Sequence, residues 1–596
     1  MPSTDLSASV KRVTARWLMP DISTDAVALF QKAFRLHPVA ARIVAARGFS
    51  ELLGADEFLN PRLDKLHDPF LMRDMQPAVA RIREALGSSQ PVLLYGDYDV
   101  DGTCAIVVLK KTIEILGGLA DFHIPDRLKH GYGMRSEVIE WAAQAGVRLI
   151  VSVDTGIRAS AVVRYAKDLG IDMIVTDHHL PEREVPPALA VLNPNRPGCQ
   201  YPNKHLCGAG VVLKLVQALL AGSDMPESRR AALLESFLKP VAIATVADIV
   251  PLTGENRVIV KRGLSGMRQV RSLGLQALLE VAGFEKGECP SAHQVAFRLA
   301  PRINAAGRMK TAHDVVELLL TTDAKRAQQL SEDLDRLNRQ RQRVETEIVE
   351  AVLKQCEERE LGEDCAGMVF AGQGWHLGVL GIVASRLVDR FGRPVFVLSD
   401  SAEADKDGRA CLSGSGRSIP AFHLLEALES MPELFIRFGG HRQAAGLSLG
   451  ASEFDEFRRR FDQFAASRLS EEDFRPQYSV DAEATLGELT DNCAGQVLSL
   501  GPFGFGNPAP ILYCSKVRVA GAPRLLGSGK HFTVPLQQNG RTLFCKGWNL
   551  GDQLEFFQPG AMLDILLQID DDPLSRRRGY GSWSPSLKDF RLSGGA

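Results

Sequence analysis

Three short apolar runs, each ending in an acidic residue, constrain this chain more than any other feature. They are PVLLYG before Asp97, VRLIVSV before Asp154 and IDMIVT before Asp177. Near-continuous apolar strands that alternate with helical stretches are typical of a parallel sheet covered on both faces. Ligands bind such sheets beyond the carboxyl ends of the strands. The acids therefore stand where a functional site is expected.

The first of these acids begins an alternating acidic triplet, Asp97, Asp99 and Asp101. On an extended chain, side chains two residues apart point to the same side, which would aim all three carboxylates at one point. Three carboxylates that close repel one another, and a bound divalent cation would neutralise them. A calcium loop is the alternative for DYDVDG, but that loop needs a Glu six residues after its Gly, where this chain has Val108.

Two further positions fit the same pattern. His178 follows Asp177, and Asp248 follows the apolar run PVAIATVA. Taken alone, Asp248 would be interpreted as a helix cap and His178 as an ordinary polar residue. The repetition of an acid after four apolar runs favours a metal site instead, because carboxylates with imidazole suit manganese or magnesium.

Composition leaves the protein class broad. The chain has 596 residues and a formal net charge of −2, so a nucleic-acid site would need a local basic track. Its apolar runs are too short to cross a bilayer and its N-terminus lacks a secretion-signal layout, so we expect a cytoplasmic protein without membrane contact. The ten cysteines form no CxxC pair, which is typical of reduced packing thiols.

The rest of the chain divides into recognisable segments. Residues 308–361 contain neither Gly nor Pro and carry one apolar stripe, which predicts a long connecting helix. A second strand–helix–strand pattern follows, and Gly/Pro-punctuated short strands beyond residue 478 predict a small β-barrel. The predicted segments are an N-terminal segment with the first α/β domain at 1–320, the helix at 321–361, the second α/β domain at 362–470 and the barrel domain at 471–596.

The ordered motifs of the chain resemble a known family. YGDYDVDG, VSVDTG, TDHH and ATVADIVPL are similar to the four motifs of the DHH phosphoesterase superfamily. CGAGV, PRINAAGRM, GWHLGVLGIVASRL, SGRS, FGGHRQAAG and PFGFGNP continue the match in order, from about residue 40 to residue 590. Over that length the chain resembles the single-stranded-DNA-specific exonucleases of the superfamily.

This resemblance implies the architecture and the activity. The fold would be α/β, with a DHH domain and a DHHA1 domain joined by a long helix, plus a C-terminal OB-type β-barrel. The activity would be 5′ to 3′ hydrolysis of single-stranded DNA to mononucleotides, in DNA repair and recombination. Two divalent ions, Mn²⁺ or Mg²⁺, would serve as cofactors. A single-strand-binding protein and a helicase would be partners of a monomeric enzyme.

The resemblance also assigns metal ligands and catalytic roles. The residues that match the family's metal ligands are Asp99, Asp101, Asp154, His178 and Asp248. Asp97 is a further candidate ligand. Smaller superfamily members carry a ligand His at the position of Tyr95, and Asp97 is the expected substitute because phenol is a poor ligand at neutral pH. We expect Asp154 to bridge the two metals, Asp177 to orient His178, and His179 to donate to the scissile phosphate.

DNA contacts are expected in the segment that contains Arg127 and Tyr132 and in four later motifs. The resemblance assigns Arg127 to the 5′-terminal phosphate and Tyr132 to base stacking, which needs unpaired bases. The remaining expected contacts lie in the motifs PRINAAGRM, GWHLG, SGRS and FGGH; they are Arg302, Asn304, Arg308, His376, Ser415, Arg417, Gly439, Gly440 and His441.

Two other functions fit parts of this pattern. One is a hydrolase of short oligonucleotides or cyclic dinucleotides from the same superfamily, although such enzymes typically end after two α/β domains. The other is a non-catalytic single-strand-binding scaffold, although scaffolds tend to lose metal acids and this chain retains those of all four motifs.

Overall fold

The computed structural model describes residues 15–126, 133–358, 365–404, 410–527, 529–572 and 581–594. These residues form two compact units. The larger contains residues 19–337 and 480–594, and the smaller contains residues 15–18 and 338–479. Two predicted DNA contacts, Arg127 and Tyr132, lie outside the described residues.

The chain begins with a short strand and three helices. They are β1 (Arg16–Leu18), α1 (Thr24–Phe34), α2 (Pro38–Ala46) and α3 (Leu52–Leu59). Strand β1 belongs to the smaller unit. The apolar faces of the three helices pack in one hydrophobic core with the C-terminal segment of the larger unit, through residues such as Phe30 and Ile43.

The first α/β domain is built on a five-stranded parallel sheet. Its elements are α4 (Met75–Gly87), β2 (Pro91–Gly96), α5 (Val100–Ile115), β3 (Leu119–His123), α6 (Ser136–Gln144), β4 (Leu149–Val153), α7 (Ser160–Asp168), β5 (Asp172–Thr176) and β6 (Ala190–Leu192). The strand order is β3-β2-β4-β5-β6. Strand β4 is buried throughout, as its continuous apolar run predicts.

A helical region completes this domain and leads out of it. Its elements are α8 (Gly208–Ala221), α9 (Glu227–Ala247), α10 (Gly254–Gly266), α11 (Leu273–Val281), α12 (Ala292–Gln294), α13 (Ala300–Met309), α14 (His313–Leu320) and α15 (Ala324–Glu358). The apolar run before Asp248 therefore ends a helix of 21 residues, unlike the other three runs, which are strands. The long helix α15 lies inside the predicted segment 321–361.

The second α/β domain makes up most of the smaller unit. Its elements are β7 (Met368–Gly372), α16 (Leu377–Phe391), β8 (Val395–Ala404), β9 (Ala410–Arg417), α17 (Leu424–Glu429), β10 (Phe435–Gly440), β11 (Ala444–Gly450), α18 (Phe454–Arg468) and β12 (Gln477–Ser479). The sheet order is β10-β11-β9-β8-β7, and only β7 and β8 run parallel. Phe457 and Phe461 of α18 pack edge-to-face on Phe396 of the sheet.

The C-terminal segment forms a closed barrel. Its elements are β13 (Ala482–Glu483), α19 (Asp491–Ser499), β14 (Ile511–Val519), β15 (Arg524–Leu526), β16 (His531–Gln538), β17 (Arg541–Gly547), β18 (Met562–Asp571) and β19 (Trp583–Leu592). Neighbouring strands pair in the cycle β14-β18-β19-β17-β16, and the pairing of β16 with β14 closes it. A five-stranded closed sheet is the architecture of an OB fold.

The predicted fold class is confirmed by these elements. Two α/β domains, the long helix and the barrel all occur in the predicted order. No helix within the described ranges combines the length and the apolar character that a membrane crossing requires.

Candidate metal centre

The register of the parallel sheet brings three acids to one edge. Gly96 of β2 pairs with Val153 of β4, and Val153 pairs with Thr176 of β5, so the three strands end in one row. Asp97, Asp154 and Asp177 are the next residues along the chain. All three are buried, although charged side chains are rarely buried without a partner.

The other two acids of the triplet do not continue the extended chain. Asp99 is the N-cap of α5, and one of its carboxylate oxygens accepts the N–H groups of Asp101 and Gly102 at 2.9 and 3.0 Å. Asp101 lies in the first helical turn. The prediction of an extended triplet is therefore wrong, because the N-cap bonds of Asp99 start the helix at Val100. The helical turn still returns Asp101 toward the sheet edge.

Three carboxylates converge on one imidazole nitrogen. His178 Nε2 lies 3.3 Å from Asp154 Oδ1, 3.7 Å from Asp248 Oδ2 and 3.9 Å from Asp101 Oδ2. A second group, with ligand atoms within 4.8 Å of one another, consists of Asp97, Asp99 and Asp154. Asp154 belongs to both sets, which is the arrangement that a bridging ligand needs. Residues far apart in the sequence thus meet at one point.

Three of the converging atoms are unsatisfied. Asp154 Oδ1, His178 Nε2 and Asp248 Oδ2 are buried and have no hydrogen-bond partner among the described residues. Buried polar atoms without a partner are rare and costly. Because these three atoms face one another and are oxygen and imidazole donors, the side chains present fit a divalent cation such as manganese or magnesium.

The electrostatics of the cluster lead to the same conclusion. Burial, followed by repulsion from Asp101 and Asp99, holds the pKa of Asp154 well above its ordinary value. Burial and the same two neighbours raise the pKa of Asp248 to about 8. Burial lowers the pKa of His178, which keeps its imidazole neutral and able to bind a metal. Without a cation, the protein holds these carboxylates together at considerable electrostatic cost.

Asp177 contacts a different imidazole from the one predicted. Its Oδ1 lies 2.7 Å from Nδ1 of His179 and accepts the backbone N–H groups of both histidines, and its Oδ2 accepts the N–H of Ile157. The expectation that Asp177 orients the ring of His178 is therefore wrong, because the turn after β5 places His179 beside the carboxylate. Although burial lowers the pKa of His179, the bond and charge of Asp177 outweigh it and raise the pKa to about 9.

The N-terminus of α8 is a part of the site to which the sequence analysis gave no role. The N–H groups of Gly208 and Ala209 donate to the two carboxylate oxygens of Asp101 at 2.5 and 2.8 Å. A Cβ atom on Gly208 would lie 2.5 Å from Asp154 Oδ1 and 2.6 Å from Asp154 Cβ. The motif CGAGV was a usable signal, because a glycine is required where two backbone segments approach this closely.

Tyr95 occupies the position of the missing histidine and is not oriented as a ligand. It is fully buried, its hydroxyl lies 3.4 Å from the carbonyl of Gly133, and its ring packs 5.2 Å from that of His123. Burial raises the pKa of Tyr95 to about 12, so the phenol stays protonated. Asp97 lies in the ligand group beside it, which suits the predicted substitution.

The motif PRINAAGRM lies on α13 and supports the acidic loop. Asn304 Oδ1 accepts the N–H of Val100 at 3.2 Å, and a Cβ atom on Gly307 would lie 2.5 Å from the carbonyl oxygen of Tyr98. The guanidinium of Arg302 donates to Asp335 at 2.9 Å and to the carbonyl of Arg298. These contacts favour a structural part for Arg302 and Asn304 over the predicted contact with DNA.

Arg308 stands at the other end of the same helix. It is half-buried one residue before the helix ends at Met309. Its predicted contact with DNA stays a prediction.

The remaining predicted DNA contacts gather in the smaller unit. The sheet register places Ser415 of β9 beside Gly446 of β11, which pairs with Gly439 of β10. Arg417 ends β9 and lies against Gly381 of α16, the helix that His376 caps with its Nδ1. Gly440 and His441 follow at the end of β10, where the N–H of His441 donates to the carbonyl of Ala444. Residues from three separate motifs therefore lie near one end of this sheet.

Three family models match the chain. The DHH family, N-terminal domain, matches residues 91–245, and the DHHA1 domain matches residues 364–467. The RecJ OB domain matches residues 480–578. These matches follow the order of the two α/β domains and the closed barrel.

Curated relatives and solved structures agree with the models. The Bacillus subtilis (strain 168) protein named single-stranded-DNA-specific exonuclease RecJ is 35% identical over 563 residues, which cover 94% of this chain and 69% of the relative. The crystal structure of RecJ from Thermus thermophilus in complex with Mn²⁺ matches with a TM-score of 0.81 at 29% identity and covers 98% of this chain and 81% of that one. The Mg²⁺ complex of the same protein matches with a TM-score of 0.74 at 27% identity, covering 97% of this chain and 79% of that one.

Proposed function

The chain belongs to the RecJ family of single-stranded-DNA-specific exonucleases, and from this premise we propose that it removes mononucleotides from the 5′ end of single-stranded DNA. The protein is a metal-dependent exonuclease, and its cofactor is manganese or magnesium. The 5′ to 3′ direction and the use of two ions are parts of the proposal.

The observation that supports this proposal most directly is the convergence of metal-ligand atoms at one buried point. The ligand atoms of Asp101, Asp154, His178 and Asp248 meet around a buried point where three of them have no other partner among the described residues. The group of Asp97, Asp99 and Asp154 supplies a second set of ligands that shares Asp154. Two neighbouring groups of ligands that share the carboxylate of Asp154 are suited to binding two cations.

The residues of the chain then have distinct tasks. Bound cations would supply positive charge at the reacting phosphate and lower the pKa of the attacking water. Asp154 would be a ligand to both cations, and the amides of Gly208 and Ala209 hold the carboxylate of Asp101 in place. Buried surroundings exclude bulk water from Asp154 and strengthen each of these electrostatic interactions.

His179 would act on the substrate itself. Asp177 fixes the ring by a hydrogen bond to Nδ1, and this bond and the charge of Asp177 raise the pKa of His179, which favours the protonated imidazole. The opposite nitrogen, Nε2, would then donate to a phosphate oxygen as negative charge develops in the transition state. Asp177 is a positioning residue in this scheme, and His179 is the catalytic one.

The predicted DNA contacts would bind the rest of the substrate. Arg127 and Tyr132 lie outside the described residues, and their proposed tasks are to hold the 5′ phosphate and stack the terminal base. Ser415, Arg417 and His441 of the smaller unit would contact the DNA backbone. Their common position at one end of a sheet supports this part of the proposal.

The setting of the reaction follows from its substrate. We propose that the enzyme works as a monomer in the cytoplasm in DNA repair and recombination. A helicase would supply the single strand and a single-strand-binding protein would deliver it. The closed C-terminal barrel favours a polynucleotide substrate over a short oligonucleotide or a cyclic dinucleotide, because OB folds bind extended strands.

The test uses DNA substrates that differ only in their free ends. We expect a hairpin with a single-stranded 5′ tail to be shortened from the 5′ end in Mn²⁺, while a 3′-tailed hairpin and a blunt hairpin persist. Mononucleotides should be the first labelled products. Equal degradation of all three hairpins would refute the single-strand specificity, and shortening of the 3′-tailed hairpin alone would refute the direction.

A further inference from the structure

The segment PFGFGNP, which the proposed function leaves without a role, is docked on residues that follow the metal ligand Asp248 in the chain. The N–H of Leu252 donates to the carbonyl of Phe505 at 2.7 Å. Arg257 donates to the carbonyls of Leu500 and Gly501 at 2.8 and 3.1 Å, and it is fully buried. The segment from the barrel domain is therefore held against the residues that directly follow the metal ligand Asp248.

Glycines allow the segment to lie close to Pro251 and Leu252. A Cβ atom on Gly504 would lie 2.8 Å from Leu252 Cδ1, and one on Gly506 would lie 2.9 Å from Pro251 Cβ. Asn507 fixes the loop from within, because its amide donates to the carbonyls of Leu500 and Pro502 at 3.1 and 2.8 Å. A loop held by this many contacts presents its outward side chains in fixed positions.

Two large apolar side chains are exposed at this place. The side chain of Phe505 is 61% exposed, and that of Ile249, the residue next to Asp248, is 70% exposed. Ile249 also has φ of +57°, a conformation that β-branched residues rarely adopt. Strained backbone conformations of this kind cluster at binding and active sites.

The chain connection limits how far the backbone of these residues can lie from the metal centre. Ile249 is bonded to Asp248, whose Oδ2 lies 3.7 Å from His178 Nε2. Leu252, which binds Phe505, is three residues from Ile249, so the Cα atoms of Leu252 and Ile249 are at most about 11 Å apart. A nucleotide held at the metal centre has its neighbours within this distance.

We propose that Phe505 and Ile249 form an apolar platform on which the bases of the DNA strand stack as it enters the metal centre. This inference rests on the proposed function and identifies a contact to the bases that the metal centre and the phosphate-binding residues do not supply. Stacking on an aromatic ring needs an unpaired base and accepts any base identity. The platform would therefore contribute to the preference for single strands without sequence preference.

The test compares DNA with and without bases near the cleaved end. Phe505→Ala should raise KM for a normal single strand roughly fivefold to hundredfold with little change in kcat, since stacking stabilises the bound substrate and the transition state alike. For a strand with abasic residues near that end, the variant and the wild type should have the same KM. Phe505→Trp should restore the normal KM.

Two further variants complete the experiment. Ile249→Asn should raise KM in the same direction, because Asn tolerates positive φ and lacks the apolar side chain. Phe297→Ala removes a phenylalanine that is 70% exposed in the same unit, outside this loop, and should leave KM unchanged. An unchanged KM for Phe505→Ala on normal DNA, or an equal rise on abasic DNA, would overturn the platform alone. Failure of the wild type to degrade normal single strands would overturn the proposed function as well.

Discussion

Several carboxyl groups of the metal centre are buried next to one another, which is electrostatically unfavourable for their ionised forms. Asp154, Asp248 and Asp99 all have pKa values raised first by burial and then by neighbouring carboxylates. Without a bound cation, these carboxyl groups stay protonated at pH values where ordinary carboxyl groups are ionised. The stability of the metal-free protein should therefore respond to pH in the direction opposite to that of salt-bridged acids.

The pKa values of Asp248 in the folded and the unfolded protein define the pH range of this response. Its pKa is about 8 in the folded protein and about 4 in an unfolded chain. Between these values the folded state binds more protons, so the free energy of unfolding of the metal-free protein should fall as pH rises from about 4 to about 8. Urea unfolding in EDTA at pH 5 and pH 8 measures this fall.

Saturating Mn²⁺ should remove most of the fall, because the cation takes the place of the protons. Asp248→Asn should reduce the fall in EDTA. Equal stability of the metal-free wild type at both pH values would contradict the electrostatic account of the cluster.

The sequence predicted which acidic residues lie at the metal centre better than it predicted which side chains those residues contact. Asp97, Asp154 and Asp177 were identifiable because each ends an apolar run, and the sheet register places them in adjacent positions. The contact of Asp177 with His179 could not be predicted. It depends on the conformation of the turn after β5, which brings the His179 ring to the carboxylate.

Among the elements, helix α8 determines whether the metal centre keeps its shape. The backbone of its first turn binds Asp101 and leaves no room beside Asp154. Gly208→Ala should push Asp154 out of place and lower kcat roughly a hundredfold, as expected for a displacement of about 1 Å in a reacting site. Initial rates on single-stranded DNA in saturating Mn²⁺ measure this effect.

The matched control is a helical glycine with open space around it. A Cβ atom on Gly495 of α19 meets nothing within 4 Å. Gly495→Ala should leave kcat unchanged and raise the free energy of unfolding by about 0.5–1 kcal/mol. Normal turnover of Gly208→Ala would show that the close approach of α8 to Asp154 has no part in catalysis.

An apolar run indicates an element near the site, but it does not by itself show whether that element is a strand or a helix. The runs that form β2, β4 and β5 are buried strands in the structure, as predicted. The run before Asp248 has the same apolar character but belongs to a 21-residue helix. Apolar composition alone does not distinguish a buried helix from a buried strand, so the partner elements decide the outcome.

At the scale of the whole molecule, the larger unit joins segments from near the two ends of the chain. Helices α1 to α3 share a hydrophobic core with the closed barrel, through residues such as Val44 and Val517. Nothing in the local sequence pattern indicates this pairing, because it joins segments that are far apart in the sequence. The order of the domains was predictable from motifs, whereas their packing depends on long-range contacts.

Arg257 links the first α/β domain to the barrel within that unit. Its guanidinium donates to carbonyls of Phe58, Leu500 and Gly501 and stacks 4.0 Å from the ring of Phe58. Burial, followed by the charge of Arg47, lowers its pKa to about 10, so it remains charged. Arg257→Lys should lower the free energy of unfolding by about 2–4 kcal/mol, since lysine cannot reach all three carbonyls.

The control for this prediction is Arg262→Lys on the same helix, α10. Arg262 pairs with Glu235 at 2.5 Å on the surface, where both side chains are about half exposed. Its replacement should change the stability by less than about 1 kcal/mol. If both variants unfold at the same urea concentration as the wild type, Arg257 does not hold the barrel in place.

The most direct test of the metal centre measures Mn²⁺ binding and DNA cleavage in the same samples. Wild-type protein should bind two Mn²⁺ ions per chain and release mononucleotides from single-stranded DNA. Asp154→Asn should lose tight binding of both ions and nearly all turnover, while keeping its affinity for single-stranded DNA. Near-normal turnover by Asp154→Asn, or full wild-type activity in EDTA, would contradict the convergence of these side chains on a catalytic metal pair.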